Sequence, residues 1–110
     1  MRRKQLRLPP PKTRHEALRA LREALADGFV ERTDYTKRRM AERKVDDADL
    51  LSVAKTGISW EGEFHVKIGD YRYRVEGYDG NRHTVAVVFE ILGPKAVRLI
   101  TVIRPRREPK

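Results

Sequence analysis

Five cations crowd into eight residues of the stretch TDYTKRRMAERKVDDADLL: Lys37, Arg38, Arg39, Arg43 and Lys44, offset only by Glu42. Arg39 and Arg43 stand four apart, so on a helix they share one face, and two guanidiniums there have the fork geometry to hold one phosphate. The same spacing also suits a structural role, with Arg39 paired to Glu42 or to a carbonyl, and a charge run is often only a solvated face. The chemistry these residues could do is chemistry on an anion. Cleavage of RNA by internal attack needs a base for the 2′-OH, a proton for the leaving oxygen, and cations against the charge of a pentacoordinate phosphate.

Other residues with the right chemistry lie in the second half. Arg72 and Arg74 alternate with Tyr71 and Tyr73, which places the arginines on one face of a strand and the tyrosines on the other. Arg74 with Thr101 from the closing strand is the expected contribution of the sheet; its competing role is a cross-strand pair with a glutamate. Tyr73 reads as core. His65 on a polar strand face and His83 beside Arg82 are candidate bases, since an ordinary histidine titrates near pH ~6.5. His15 falls inside a capping box and suits the role less. Trp60, Phe64 and Tyr71 could stack on bases, although alternating aromatics beside a turn more often pack in a core. The chain has no cysteine and three scattered histidines, so thiolate chemistry is excluded and a structural zinc site is not expected. No Walker loop, GxGxxG, GxSxG or HExxH occurs, and no cofactor is expected.

Capping signals and hydrophobic period indicate the elements that must position these residues. Thr13 and Glu16 form a capping box ahead of Leu18, Leu21 and Leu25 at helical spacing, and Asp27-Gly28 ends that helix through a left-handed glycine, returning Phe29 and Val30 to the core. Thr33 caps the basic helix, which is expected to run from Asp34 to about Lys44 with only a narrow apolar stripe of Tyr35, Met40 and Ala41. Asp46 and Asp49 cap a third helix carrying Leu50, Leu51, Val53 and Ala54 up to Gly57. From Ile58 the period becomes two: Trp60, Phe64, Val66 and Ile68 oppose Glu61, Glu63, His65 and Lys67. A two-residue Gly69-Asp70 turn then leads into the return strand. TVAVVFEIL after Asp79-Gly80-Asn81 reads as a central strand covered on both faces, and VRLITVIR after Gly93-Pro94 as the last, stopped by Pro105. The expected class is α+β, with the N-terminal helices packed on one face of a four-stranded antiparallel meander.

At 110 residues the chain is most simply one domain, expected over 13–104, with a basic arm at 1–12 and a basic tail at 105–110. Residues 1–12 hold five cations and 104–110 a net three, which leaves 13–103 at +1 of the total +9. The basic helix is therefore a local concentration of charge on a nearly neutral body. No run approaches the roughly 18 apolar residues of a membrane span, and the basic N-terminus lacks the apolar segment of a signal peptide, so a cytoplasmic protein without membrane contact is expected.

RRMAERKVDDADLL, YRYRVEG and LITVIRP together resemble a bacterial domain family of unknown function with the pattern H-x-x-x-R-M-x-E-R-G-[IV], an acidic helix cap and a closing I-T-V strand. That family is grouped with the barnase, EndoU, colicin and RelE fold of small ribonucleases and toxins, and the layout from Gly28 to Thr33 is also similar to MqsR-type toxins. The resemblance implies a metal-independent toxin-type endoribonuclease. Tyr35 stands where the family commonly has histidine and Lys44 where it has glycine. The expected catalytic set is Tyr35, Arg39, Arg43, Arg74 and Thr101, with Lys37, Arg38, Lys44, Arg72, Arg82 and His83 on the RNA. The alternative is a non-catalytic module of a toxin–antitoxin or mobile-element system that holds RNA or DNA phosphates, or docks on an antitoxin or other acidic partner.

Overall fold

Helix-forming patterns dominate the first half and strand-forming ones the second. A computed structural model describes residues 10–105 and arranges them as α1 (Arg14–Asp27), β1 (Phe29–Arg32), α2 (Asp34–Glu42), α3 (Asp47–Thr56), β2 (Ser59–His65), β3 (Asp70–Tyr78), β4 (Thr84–Gly93) and β5 (Ala96–Ile103). Most of the expected arm and tail, residues 1–9 and 106–110, lies outside the described residues. All three helices start as their capping residues require: Thr13 and Asp46 complete capping boxes with Glu16 and Asp49, and the Thr33 hydroxyl accepts from the Thr36 N–H.

The class is α+β, but the sheet is five-stranded and mixed rather than a four-stranded meander. Its order is β1-β5-β4-β3-β2, with β1 parallel to β5 and every other pair antiparallel. Phe29 and Val30 do not simply return to the core. They begin β1, with Phe29 well exposed, and Gly28 has φ −107° rather than a left-handed value. Glycine is needed there for a different reason: a β-carbon would lie 2.1 Å from the Lys95 carbonyl oxygen, whose close approach brings β1 onto β5. The β2–β3 connection also differs from expectation. β2 stops at His65, paired with Asp70, and Val66–Gly69 form a four-residue loop in which Val66 is 85% exposed and Gly69 takes φ +66°.

β4 is central, as its apolar run requires. Val85, Val87 and Phe89 meet Val75 of β3 and Val97, Leu99 and Val102 of β5 beneath Leu18 and Leu21 of α1 and Leu50 and Val53 of α3. Burying one such side chain is worth roughly 1.5–3 kcal/mol, so this single layer supplies most of the drive for folding. Tyr73 is buried in it, and Trp60 and Tyr71 pack against it as core rather than as free stacking platforms.

The opposite sheet face carries no helix and is crossed by an ionic row. Glu63 faces Arg72, Arg72 Nε donates to Glu90 (3.1 Å), Arg98 donates to Glu90 (2.9 Å), and Arg98 Nε donates to Glu31 (2.5 Å), spanning all five strands. Glu90 is buried, a position a carboxylate occupies only when paired.

One irregularity places α2. Val88 pairs with Thr101 but Phe89 with Leu99, so Ile100 is an extra residue in β5. Beyond Arg32, β1 no longer covers β5, and α2 packs against the uncovered part. The fully buried Thr36 hydroxyl lies 2.8 Å from the Leu99 carbonyl oxygen and 2.9 Å from that of Ile100, tying the helix to the bulge.

Candidate functional site

Thr36 on the bulge brings Tyr35, one residue earlier, next to Thr101, one residue after Ile100. On the helix itself, Arg39 lies one turn beyond Tyr35, with its guanidinium carbon 4.8 Å from the centre of the tyrosine ring. Arg39 Nη1 also donates to Glu42 at 3.2 Å. Tyr35, Arg38, Arg39 and Glu42 line a depression of about 150 Å³.

The electrostatics of this face act on the phenol. Hydrogen bonding to Arg39 holds the Tyr35 hydroxyl below the ordinary phenolic range; burial opposes this, while the charge of Arg39, a hydrogen bond with Thr101 and the charge of Arg43 add to it. Tyr35, Arg39, Arg43 and Thr101 are thus one electrostatic group. Tyr35 is 45% exposed and can meet a ligand without rearrangement.

The basic helix is shorter than expected. It ends at Glu42, Arg43 caps it, and Lys44 turns the chain with φ 53°, a left-handed conformation at the position where the resembled pattern has glycine. The carbonyls just past its end are taken by a residue counted above among the tail cations. Arg104 Nε donates to the Arg43 carbonyl (2.6 Å), Nη2 to that of Lys44 (3.1 Å) and Nη1 to Asp79 (2.9 Å). The Asp79 side chain is only 2% exposed and also accepts from the backbone N–H groups of Asn81 (2.8 Å) and His83 (2.9 Å). Burial pushes its carboxyl up, but the His83 N–H, the Arg104 guanidinium and the Asn81 N–H together outweigh this and hold it below its ordinary value.

The remaining candidates divide. Lys37, Arg38 and Lys44 are exposed on or just after α2. Arg82 and His83 are exposed at the β3–β4 turn, beside Arg104 and so adjacent to the end of α2. Arg72 belongs to the ionic row through Glu90. Arg74 shares the open face with Thr101, but Val88 stands between them, and Arg74 Nη1 is 3.6 Å from Glu76. That face carries Glu31, Glu61, Glu63, Glu76 and Glu90 against Arg72, Arg74 and Arg98, a balance that does not attract phosphate. His65 sits on β2, at the opposite edge of the sheet from α2, 3.7 Å from Glu63.

Sequence reasoning missed Thr36, Asp79 and Arg104. An isolated threonine inside a helix and an aspartate in an Asp-Gly turn carry no signal of a distant partner; for Arg104, its place directly after the last strand was the available hint. Among the described residues no group of three His, Cys, Asp or Glu side chains could hold a metal ion, and no helix is long and apolar enough to cross a membrane.

No curated protein and no solved structure matches the chain. Residues 33–104 match a family described as Domain of unknown function (DUF4258). The matched span opens at Thr33, the cap of α2, closes at Arg104, the clamp on its far end, and covers well over half of the sequence, so the chain belongs to the DUF4258 family.

Proposed function

We propose that the domain binds RNA at the Tyr35–Arg39–Arg43–Thr101 face and cleaves it without a metal. The likeness to the barnase, EndoU, colicin and RelE fold group, and a toxin-type role with a protein antitoxin as partner, belong to the same proposal. The observation that carries it is the exposed Tyr35 ring packed 4.8 Å from the Arg39 guanidinium carbon, with its hydroxyl held below the ordinary range by Arg39 and with help from Thr101 and Arg43. A phenol so placed can, in its ionised form, take the proton of a ribose 2′-OH. The 2′ oxygen then bonds to phosphorus, the bond from phosphorus to the 5′ oxygen breaks, and water protonates the leaving oxygen at this open face. Arg39 and Arg43 meet the charge that builds on the phosphate oxygens, and Lys37, Arg38 and Lys44 hold flanking phosphates.

The pairing of Arg39 with Glu42 favours a second reading, in which the face is a phosphate landing surface without chemistry. Incubation of the purified protein with single-stranded and structured RNA in EDTA separates the two. Products with 5′-hydroxyl and 2′,3′-cyclic phosphate ends support cleavage; micromolar binding with intact RNA supports the landing surface and overturns the enzyme.

A further inference from the structure

We propose that the hollow at the β3–β4 turn is a second phosphate subsite on the same RNA path, joined to the α2 site by Arg104; this deepens the RNA reading and rests on it. The hollow has a volume of about 400 Å³ and is lined by Arg82, His83, Thr84, Arg104 and Pro105. Arg82 is held at φ 64°, a left-handed conformation that residues with a β-carbon avoid. The turn around it imposes that conformation. Asp79 N–H donates to the His83 carbonyl (2.8 Å), Arg82 N–H donates to the Asp79 carbonyl (3.1 Å), and the Asp79 carboxylate accepts from the N–H groups of both Asn81 and His83. Backbone strain maintained by so many bonds is typical of positions where a side chain must be presented in one direction.

Charge within the turn is sorted by depth. The carboxylate of Asp79 is buried, with Oδ1 engaged by two backbone N–H groups and Oδ2 by Arg104. The Arg82 and His83 side chains are exposed, and His83 Nδ1 lies 3.9 Å from Asp79 Oδ2. The outer surface of the turn is therefore cationic although an aspartate organises it.

Between this hollow and the Tyr35 face lies the C-terminal end of α2, where the Arg39, Met40 and Ala41 carbonyls accept from the backbone N–H groups of Arg43, Val45 and Lys44, and the Arg43 and Lys44 carbonyls that follow present partial negative charge that would repel a passing phosphate. Arg104 takes the carbonyls of Arg43 and Lys44 with two of its nitrogens. It neutralises the junction and so makes two cationic patches continuous. Arg104 is a positioning residue for this path, and Arg82 and His83 are the groups that meet phosphate.

Arg82→Gly tests this without risk to the fold, because glycine is the residue that the left-handed turn position favours. Binding of an octanucleotide and of a dinucleotide of RNA is measured against salt concentration. The octanucleotide should bind Arg82→Gly about three- to tenfold more weakly, with a salt slope shallower by about 0.7, the value of one lost single-strand phosphate contact. The dinucleotide, too short to span both sites, should bind parent and variant alike. His83→Ala should repeat the pattern more weakly, since its imidazole lines the same hollow. Equal octanucleotide affinity and slope in parent and Arg82→Gly overturns the second subsite alone, whereas a parent that binds no octanucleotide overturns the RNA reading with it. A mononucleotide that shifts the His83 imidazole resonances as strongly as the octanucleotide does would assign the hollow to a free nucleotide and overturn the continuous path.

Discussion

The chemistry proposed for Tyr35 depends on which of its neighbours lower its proton affinity, and each makes a separable demand. As a base it must act as phenolate, so the cleavage rate should rise with pH and level off above an apparent pKa below the ordinary phenolic value of about 10. Tyr35→Phe should abolish that rising limb while RNA affinity stays. Arg39→Lys keeps the charge but loses the planar fork; a loss of about 10²-fold in kcat is expected for a preorganised stabiliser, and the rising limb should move to higher pH as the phenol regains its proton affinity. Rate–pH profiles of the three proteins measure both effects, and identical profiles would leave Tyr35 without a catalytic role. Three of the four residues of this group were legible as a set in the sequence: Tyr35, Arg39 and Arg43 recur every four residues and must share a helical face. Thr101 was named as well, but with Arg74 as its partner: the two share a sheet face with Val88 between them, and nothing in LITVIRP announces the bulge at Ile100 to which Thr36 ties α2, bringing Tyr35 beside Thr101.

Among the elements, α2 is held in place by its two ends rather than by a broad apolar face. Only Thr36 and Met40 of its nine residues are buried, and the Thr36 hydroxyl is its link to the β5 carbonyls. Thr36→Val fills the same space without the hydroxyl, removes the one donor shared by the Leu99 and Ile100 carbonyls, and should cost about 1–2 kcal/mol in urea unfolding. At the far end, Lys44 adopts φ 53° with an exposed side chain, so Lys44→Gly should stabilise the protein by up to about 1 kcal/mol, the strain relieved less the extra freedom of the unfolded chain. A destabilised Lys44→Gly would mean that the lysine side chain holds the helix end. The helices were legible because a capping box and a run of apolar spacings are local signals. β1 was not: four residues on a sheet edge, the first exposed and the other three half-buried, have neither the length nor the alternation of a strand, and the contact that makes them one comes from β5 far along the chain. The β2–β3 loop escaped for a related reason, since Val66 and Ile68 continue the alternation of the strand although both are exposed.

For the molecule as a whole, the question is which of its 25 Lys and Arg side chains hold the fold together and which are left for a partner. Composition marks the two chain ends as strongly cationic, and residues 1–9 and 106–110 are expected to add RNA affinity without sequence preference, by releasing counterions from phosphates. A chain of residues 10–105 should bind RNA more weakly with a shallower salt dependence yet keep the cleavage pattern; a changed pattern would move the site into the ends. Arg104 must be kept in any such truncation, because with Asp79 it joins the end of α2 to the β3–β4 turn. This clamp sets the last prediction. The folded-state pKa of Asp79 lies below its unfolded value, so its contribution to stability is fully present above about pH 4, where the unfolded carboxyl is ionised, and is lost as pH falls through the lower folded value. Asp79→Asn keeps the size but leaves Arg104 facing a neutral amide and removes the charge from two backbone hydrogen bonds. It should cost roughly 2–3 kcal/mol at neutral pH and make unfolding less sensitive to acid below about pH 4. Urea melts of parent and variant from neutral pH to about pH 2 measure both. If the two proteins lose stability in parallel as pH falls, Asp79 is not the acid-sensitive group, and the joint between the helix and the turn must rest on the hydrogen bonds of Arg104 to Arg43 and Lys44 alone.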